Sequence, residues 1–208
     1  FRNYKTNFVD MMAEIYSKAN TALKYGDREN ANFESTLIST KQALIRGYLT
    51  KELYKTNYLT TEELKAIDEG YIYIHDLRDL IFNGFNCCLF DMATVLEGGF
   101  EMANLKYKEP SNVLSCLQVI GDVTLSASAQ QFGGFTLPEI DKVLVKYIKK
   151  SIVKYGKEAV KYGVQDSYTY AMEKTQNDLE QGFQSLEMKL NSVTSSRGDY
   201  SFVTLTFG

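Results

Sequence analysis

The feature that most constrains this chain is a change of hydrophobic period along it. Three long stretches, Ser111–Phe132, Pro138–Tyr162 and Asp166–Leu190, repeat apolar residues at helical spacing. They stand between short apolar words rich in β-branched and aromatic residues: Tyr71–His75 and Asn86–Phe90 before them, Ser201–Phe207 after them. Long helices between strands predict an α/β layer or barrel in which helix dominates. Phe8, Met11, Met12, Ile15, Tyr16 and Ala19 predict an earlier amphipathic helix over Tyr4–Lys24, and a second is expected over Phe33–Leu53. Thr60 with Glu63 three residues on forms a capping box for a short helix ending near Gly70. Met92–Leu96 reads as a turn or two of helix stopped by Gly98-Gly99, and Phe100–Pro110 as a loop or irregular arm. Gly133-Gly134 reads as a helix stop, and Pro138 as a residue of the next helix's first turn. The small residues Ser126–Ala129 would let a neighbouring element approach closely.

Charge and composition exclude several classes. Lys plus Arg number 23 against 26 Asp plus Glu, a net charge of -3. That lacks the basic excess of a non-specific nucleic-acid binder, so no nucleic-acid partner is expected. No apolar stretch approaches the roughly 18 residues of a membrane span. Cys87, Cys88 and Cys116 are an odd set. The adjacent pair cannot close a relaxed disulfide, so reduced thiols in a cytoplasmic protein are expected.

Local chemistry is sparse. His75, the only histidine, ends a strand-like word beside Asp76. It reads either as a substrate contact or as a core or capping histidine bonded to Asp76 or to backbone. A single histidine without a Cys-x-x-Cys partner offers no zinc site, and no metal is expected within the chain. On a strand Cys87 and Cys88 face opposite sides, so at most one of them lines a given pocket. Cys116 falls on the apolar stripe of a helix and reads as packing. Asn191–Gly198 is a Ser/Gly turn entering a strand, with Arg197 beside it. It reads as an ordinary polar turn or as a phosphate cradle without the spacing of a P-loop.

The words themselves carry a resemblance. Gly70–Leu77, Phe85–Asp91, Gly98–Phe100, Gln131–Thr136, Ile140-Asp141, Gln184–Glu187, Asn191-Ser192 and Phe202–Gly208 resemble, in order, the anaerobic (class III) ribonucleoside-triphosphate reductases. The likeness covers about residues 70–208. It implies part of a ten-stranded α/β barrel of the glycyl-radical enzyme type. Residues 1–69 would be a helical lead-in to a single N-terminal portion of the catalytic domain, and 70–208 its first strands and long helices.

The resemblance further implies radical chemistry. A glycyl radical generates a thiyl radical on a loop cysteine. The thiyl takes the ribose 3′ hydrogen, and a second cysteine on the first barrel strand assists loss of the 2′ hydroxyl as water. Cys87, in Asn-Cys-x-Leu-x-Asp, matches that second cysteine. His75, Asn86, Asn191, Ser195, Ser196 and Arg197 become candidate substrate contacts.

The family's partners follow: ribonucleoside triphosphates, dNTP and ATP effectors, a radical-SAM activating enzyme, formate as reductant, and a second copy in a homodimer. Residues 101–130 are the candidate region for dimer and effector contacts. The loop cysteine, the glycyl-radical segment and the family's C-terminal four-cysteine zinc site have no counterpart in these residues. The expectation is therefore a portion of the reductase that is inactive alone. The alternatives are a truncated non-catalytic paralogue, a nucleotide-binding or dimerisation module, and a relative of the formate-lyase type.

Overall fold

The structure is a computed structural model that describes residues 9, 10, 12–14, 16, 17, 37–102, 104–131, 133–195 and 199–208. It divides into two compact units, one of residues 1–86, 130–132 and 194–200, the other of 87–129, 133–193 and 201–208.

In the first unit, Val9, Asp10, Met12–Glu14, Tyr16 and Ser17 have helical backbone, and the rest of the helix expected over Tyr4–Lys24 lies outside the described residues. Helix α1 (Ile38–Tyr58) runs five residues past the expected end and buries Thr40, Ala43, Gly47 and Thr50. Those positions recur every three or four residues, so they form one face. The stem of Arg78 crosses that face at Gly47, where an added Cβ would sit 3.1 Å from Arg78 Cδ.

Helix α2 (Thr61–Asp68) starts at the capping box read from the sequence. Thr60 Oγ1 accepts the Glu63 N–H (3.2 Å), and Glu63 Oε2 accepts the Thr60 N–H (2.7 Å). It ends in a Schellman turn. Gly70, at φ +77°, donates its N–H to the Ile67 carbonyl (3.0 Å), and Tyr71 donates to Ala66 (2.8 Å).

That turn corrects one expectation. Tyr71–His75 forms no strand. The N–H groups of Tyr71 and Ile72 both serve the Ala66 carbonyl, and Tyr71 and Tyr73 remain 80% and 72% exposed. Their β propensity describes a half-buried pleated surface that this segment does not have. A single turn, α3 (Leu77–Leu80), follows.

The second unit holds a three-stranded parallel sheet in the order β1-β4-β5. Strand β1 is Cys88–Leu89, β4 is Phe135–Leu137 and β5 is Val203–Leu205. Cys88 pairs with Phe135, and Phe135 with Val203. Parallel neighbours require long crossovers. The first contains α4 (Met92–Leu96), the hairpin β2 (Phe100–Met102) and β3 (Leu105–Tyr107), and α5 (Val113–Ser128). The second contains α6 (Ile140–Lys161) and α7 (Ser167–Ser192).

Three helices of this unit open on side-chain caps: Asp91 on α4, Asn112 on α5 and Asp166 on α7. Helix α6 instead opens on Glu139 in left-handed backbone, so Pro138 lies before the helix and not in its first turn. The segment expected as a loop at 100–110 is largely the β2–β3 hairpin, with Phe100 and Tyr107 stacked across it.

Strand β4 is absent from the sequence expectation, although it is the central strand. Phe135 and Leu137 are buried in a core shared with Met92, Leu96, Val113, Leu117, Ile120, Ile140, Leu144, Tyr147 and Leu186. The small residues near the end of α5 do allow close approach: Ser128 Oγ lies 2.7 Å from Ser201 Oγ, just ahead of β5. Between α6 and α7, the Tyr155 hydroxyl donates to the buried Asp178 carboxylate (2.7 Å). Burial and that bond push the Tyr155 hydroxyl up to about 12.

Candidate functional site

Cys87 stands one residue ahead of β1, at the end of the sheet where β4 and β5 also begin. The Gly134 N–H donates to Cys87 Sγ (3.2 Å), and the Gly134 carbonyl accepts from the Cys88 N–H (3.0 Å). One glycine thus fixes both the sulfur and the backbone behind it. Phe202, leading into β5, accepts the Phe135 N–H at its carbonyl (2.8 Å). A Cβ on Gly134 would lie 3.5 Å from the Phe202 ring and 3.8 Å from Cys87 Sγ. Any longer side chain there would grow into the space beside the sulfur.

The neighbouring thiols behave differently. Cys87 is exposed, Cys88 is half-buried against the core and Cys116 is fully buried. The two adjacent side chains therefore divide between surface and core, as strand geometry requires. Burial and the charge of Cys87 push the Cys88 thiol up. Burial pushes Cys116 to about 12, which holds it as a neutral packing group.

Residues 29–208 match the family described as anaerobic ribonucleoside-triphosphate reductase. The chain belongs to that family. It is 34% identical over 181 residues to the anaerobic ribonucleoside-triphosphate reductase of Enterobacteria phage T4, covering 86% of this chain and 30% of that protein. The enzyme of that name from Salmonella typhimurium is 31% identical over 195 residues, covering 93% of this chain and 27% of that protein. The crystal structure of the anaerobic ribonucleotide reductase from Thermotoga maritima in complex with dATP and CTP shares the fold. Its TM-score is 0.61 at 18% identity, over 99% of this chain and 35% of that one. The chain thus spans under a third of the length of these two sequence relatives. What this anaerobic reductase family member displays is a mostly helical α/β arrangement with a small parallel sheet; a closed ten-stranded barrel is not visible among the described residues.

The other candidate residues of this reductase family member lie as follows. His75 Nδ1 is paired with Asp76 Oδ2. Asn86 directly precedes Cys87 in the chain. Asn191, in the last turn of α7, donates its side-chain amide to the Glu187 carbonyl (2.8 Å). Ser195 donates its N–H to the Asp199 carbonyl (2.8 Å), and its hydroxyl bonds the Asp199 carboxylate, beside the Thr194–Tyr200 bridge. Each of these bonds closes within four residues of chain. Ser196 and Arg197 lie outside the described residues.

Gly134 is a neighbour of Cys87 that its sequence motif does not reveal, and so is the approach of Phe202 to that same glycine. The signal available for them is the Phe-Thr-Leu alternation of Phe135–Leu137 held between a glycine pair and a proline, the mark of a short strand with one buried face. Among the described residues, no three His, Cys, Asp or Glu side chains cluster to hold a metal ion. No described helix is long and apolar enough to cross a membrane.

Proposed function

We propose that this chain supplies the substrate-side thiol of an anaerobic ribonucleoside-triphosphate reductase, and that Cys87 is that thiol. The observation that carries the proposal is the placement of Cys87: exposed, one residue before β1, its sulfur held by the Gly134 N–H, within the span that matches the family. A thiol in that position can donate a proton or hydrogen atom to a ribose held against it. The Gly134 bond is accepted at sulfur and so does not consume the S–H.

On this reading ribonucleoside triphosphates are the substrates and deoxyribonucleotides the products, with dNTP and ATP as effectors. His75, Asn86, Asn191, Ser195, Ser196 and Arg197 are individually proposed as substrate contacts. The glycyl radical, the thiyl cysteine and the zinc site would come from reductase sequence other than residues 1–208. Formate as reductant, activation by a radical-SAM enzyme, assembly as a homodimer and a cytoplasmic location belong to the same proposal. They rest on family membership.

The test is Cys87→Ser in the reductase that contains this chain. Glycyl radical should form at normal yield by electron paramagnetic resonance, while dNTP formation is abolished. Normal dNTP output from that variant sinks the assignment.

A further inference from the structure

We infer that Asp76 is a positioning residue. It fixes the tautomer of His75 and leaves Nε2 as the ring's one hydrogen-bond acceptor, suited to a hydroxyl donor such as a sugar hydroxyl. Its use in the reaction rests on the proposal that His75 contacts substrate; its geometry does not. His75 Nδ1 is paired with Asp76 Oδ2. With Asp76 ionised its carboxylate only accepts, and the proton between these atoms then sits on Nδ1. In the neutral ring Nε2 is then unprotonated. A carboxylate on the opposite nitrogen also makes the free one a stronger acceptor, as it does for histidines that ligate metals.

The two partners are unequally placed. The imidazole is 54% exposed and the carboxylate 2% exposed. The buried group anchors and the exposed group is offered outward. The anchor is itself held by backbone. Asp76 takes φ 53° and ψ 30°, left-handed values that aspartate visits more readily than most residues. Its carbonyl accepts the Asp79 N–H (2.9 Å) at the start of α3, and Leu77 beside it is buried. The Tyr73 ring meets the imidazole in a T-shaped contact, with centroids 6.3 Å apart and planes at 78°. A merely solvated histidine requires neither a buried carboxylate nor a left-handed residue to carry it.

Because the chain has one histidine, nitrogen NMR of histidine-labelled protein reports one ring. At alkaline pH, with that ring neutral, the wild type should show Nδ1 protonated and Nε2 bare. Asp76→Gly tolerates the left-handed backbone and removes the carboxylate, so the ring should change to the Nε2–H form that free histidine favours. Asp76→Asn keeps side-chain shape and, should the glycine variant fail to fold, takes its place. It should lower the Nδ1–H population. A wild-type ring protonated on Nε2, or a tautomer unchanged in the variants that fold, overturns the inference. His75→Gln in the assembled reductase, read as kcat and KM for the nucleotide, tests the substrate-contact proposal separately. Unchanged kinetics there would remove His75 from substrate contact while the tautomer result stood.

Discussion

The three cysteines differ in environment so strongly that their reactivities should separate cleanly. Thiolate is the reacting form, so exposure and proton affinity together set the rate. Cys87 is exposed, Cys88 is half-buried with its thiol raised by burial and by Cys87, and Cys116 is buried with its thiol pushed to about 12. Alkylation by iodoacetamide under native conditions, followed by peptide mass spectrometry, should label Cys87 first, Cys88 much more slowly, and Cys116 only on unfolding. Labelling of Cys116 at the rate of Cys87 would contradict the packing described for α5. Cys116's position on an apolar helical stripe makes its role legible from sequence. The division between Cys87 and Cys88 is legible only as an alternation. Which of the two faces outward depends on β4, a strand too short to announce itself by period.

At the scale of elements, the ends of helices are the most legible feature, because caps are local chemistry. Thr60 and Glu63 need only three residues of chain to meet. Strands are the least legible, because their stability depends on partners distant in sequence. Tyr71–His75 has strand composition and no ladder, while Phe135–Leu137 has three residues and two neighbours.

Helix packing is equally hidden. Helices α5 and α7 meet at glycines: a Cβ on Gly182 would come within 2.5 Å of Leu117 Cδ1 and 3.3 Å of Leu117 Cβ. Leu117 is fully buried and cannot swing away. Alanine would gain about 1 kcal/mol of helix propensity and lose about 1–3 kcal/mol to overpacking. Gly182→Ala should therefore be net destabilising, read as a lower urea midpoint at unchanged slope. At Gly121 the nearest atom is Lys189 Cδ, at 2.9 Å, the stem of a flexible side chain, so Gly121→Ala should cost less. A Gly182→Ala protein as stable as wild type would mean that the two helices do not approach this closely.

A second contact at this scale carries a pH signature. Glu109, after the hairpin, accepts from Lys146 (2.8 Å) and Lys150 (2.7 Å) on α6. Hydrogen bonds from those two lysines hold its carboxyl well below the ordinary 4.5, at about 2. A depressed carboxylate stabilises the fold above the unfolded value and loses that contribution as pH falls through the folded one. The difference in melting temperature between wild type and Glu109→Gln should be full at neutral pH and shrink as pH drops from 4.5 toward 2. A difference independent of pH would show that the pairing adds nothing and that the glutamine acts by shape alone.

For the molecule as a whole, the deciding feature is the parallel sheet. Purely parallel sheets are covered on both faces and are seldom this small. The hydrogen-bond pattern says which groups await a neighbour. Cys88 donates to Gly134, just ahead of β4, and Phe90 to Thr136 from one side, and Thr206 donates to Leu137 from the other. Since side-to-side bonding alternates along a strand, Leu89 on β1 and Val203 and Leu205 on β5 direct their N–H groups away from β4. Among the described residues no strand pairs with those edges. An unpaired edge is a template for strand addition, and the barrel implied by the family resemblance would place a strand at each. The helix caps and the position of Cys87 ahead of a strand can be read from sequence words. Closure cannot, because a barrel is a property of strands that must be present together. Hydrogen exchange by mass spectrometry decides it. The amides of Leu89, Val203 and Leu205 should exchange rapidly in the 208-residue chain and become protected in a full-length reductase containing it, while those of Cys88 and Phe90 are protected in both. Equal, rapid exchange of the outward amides in both proteins would mean that the sheet ends at these edges. The position of Cys87 would then be that of an open surface and not the wall of a barrel.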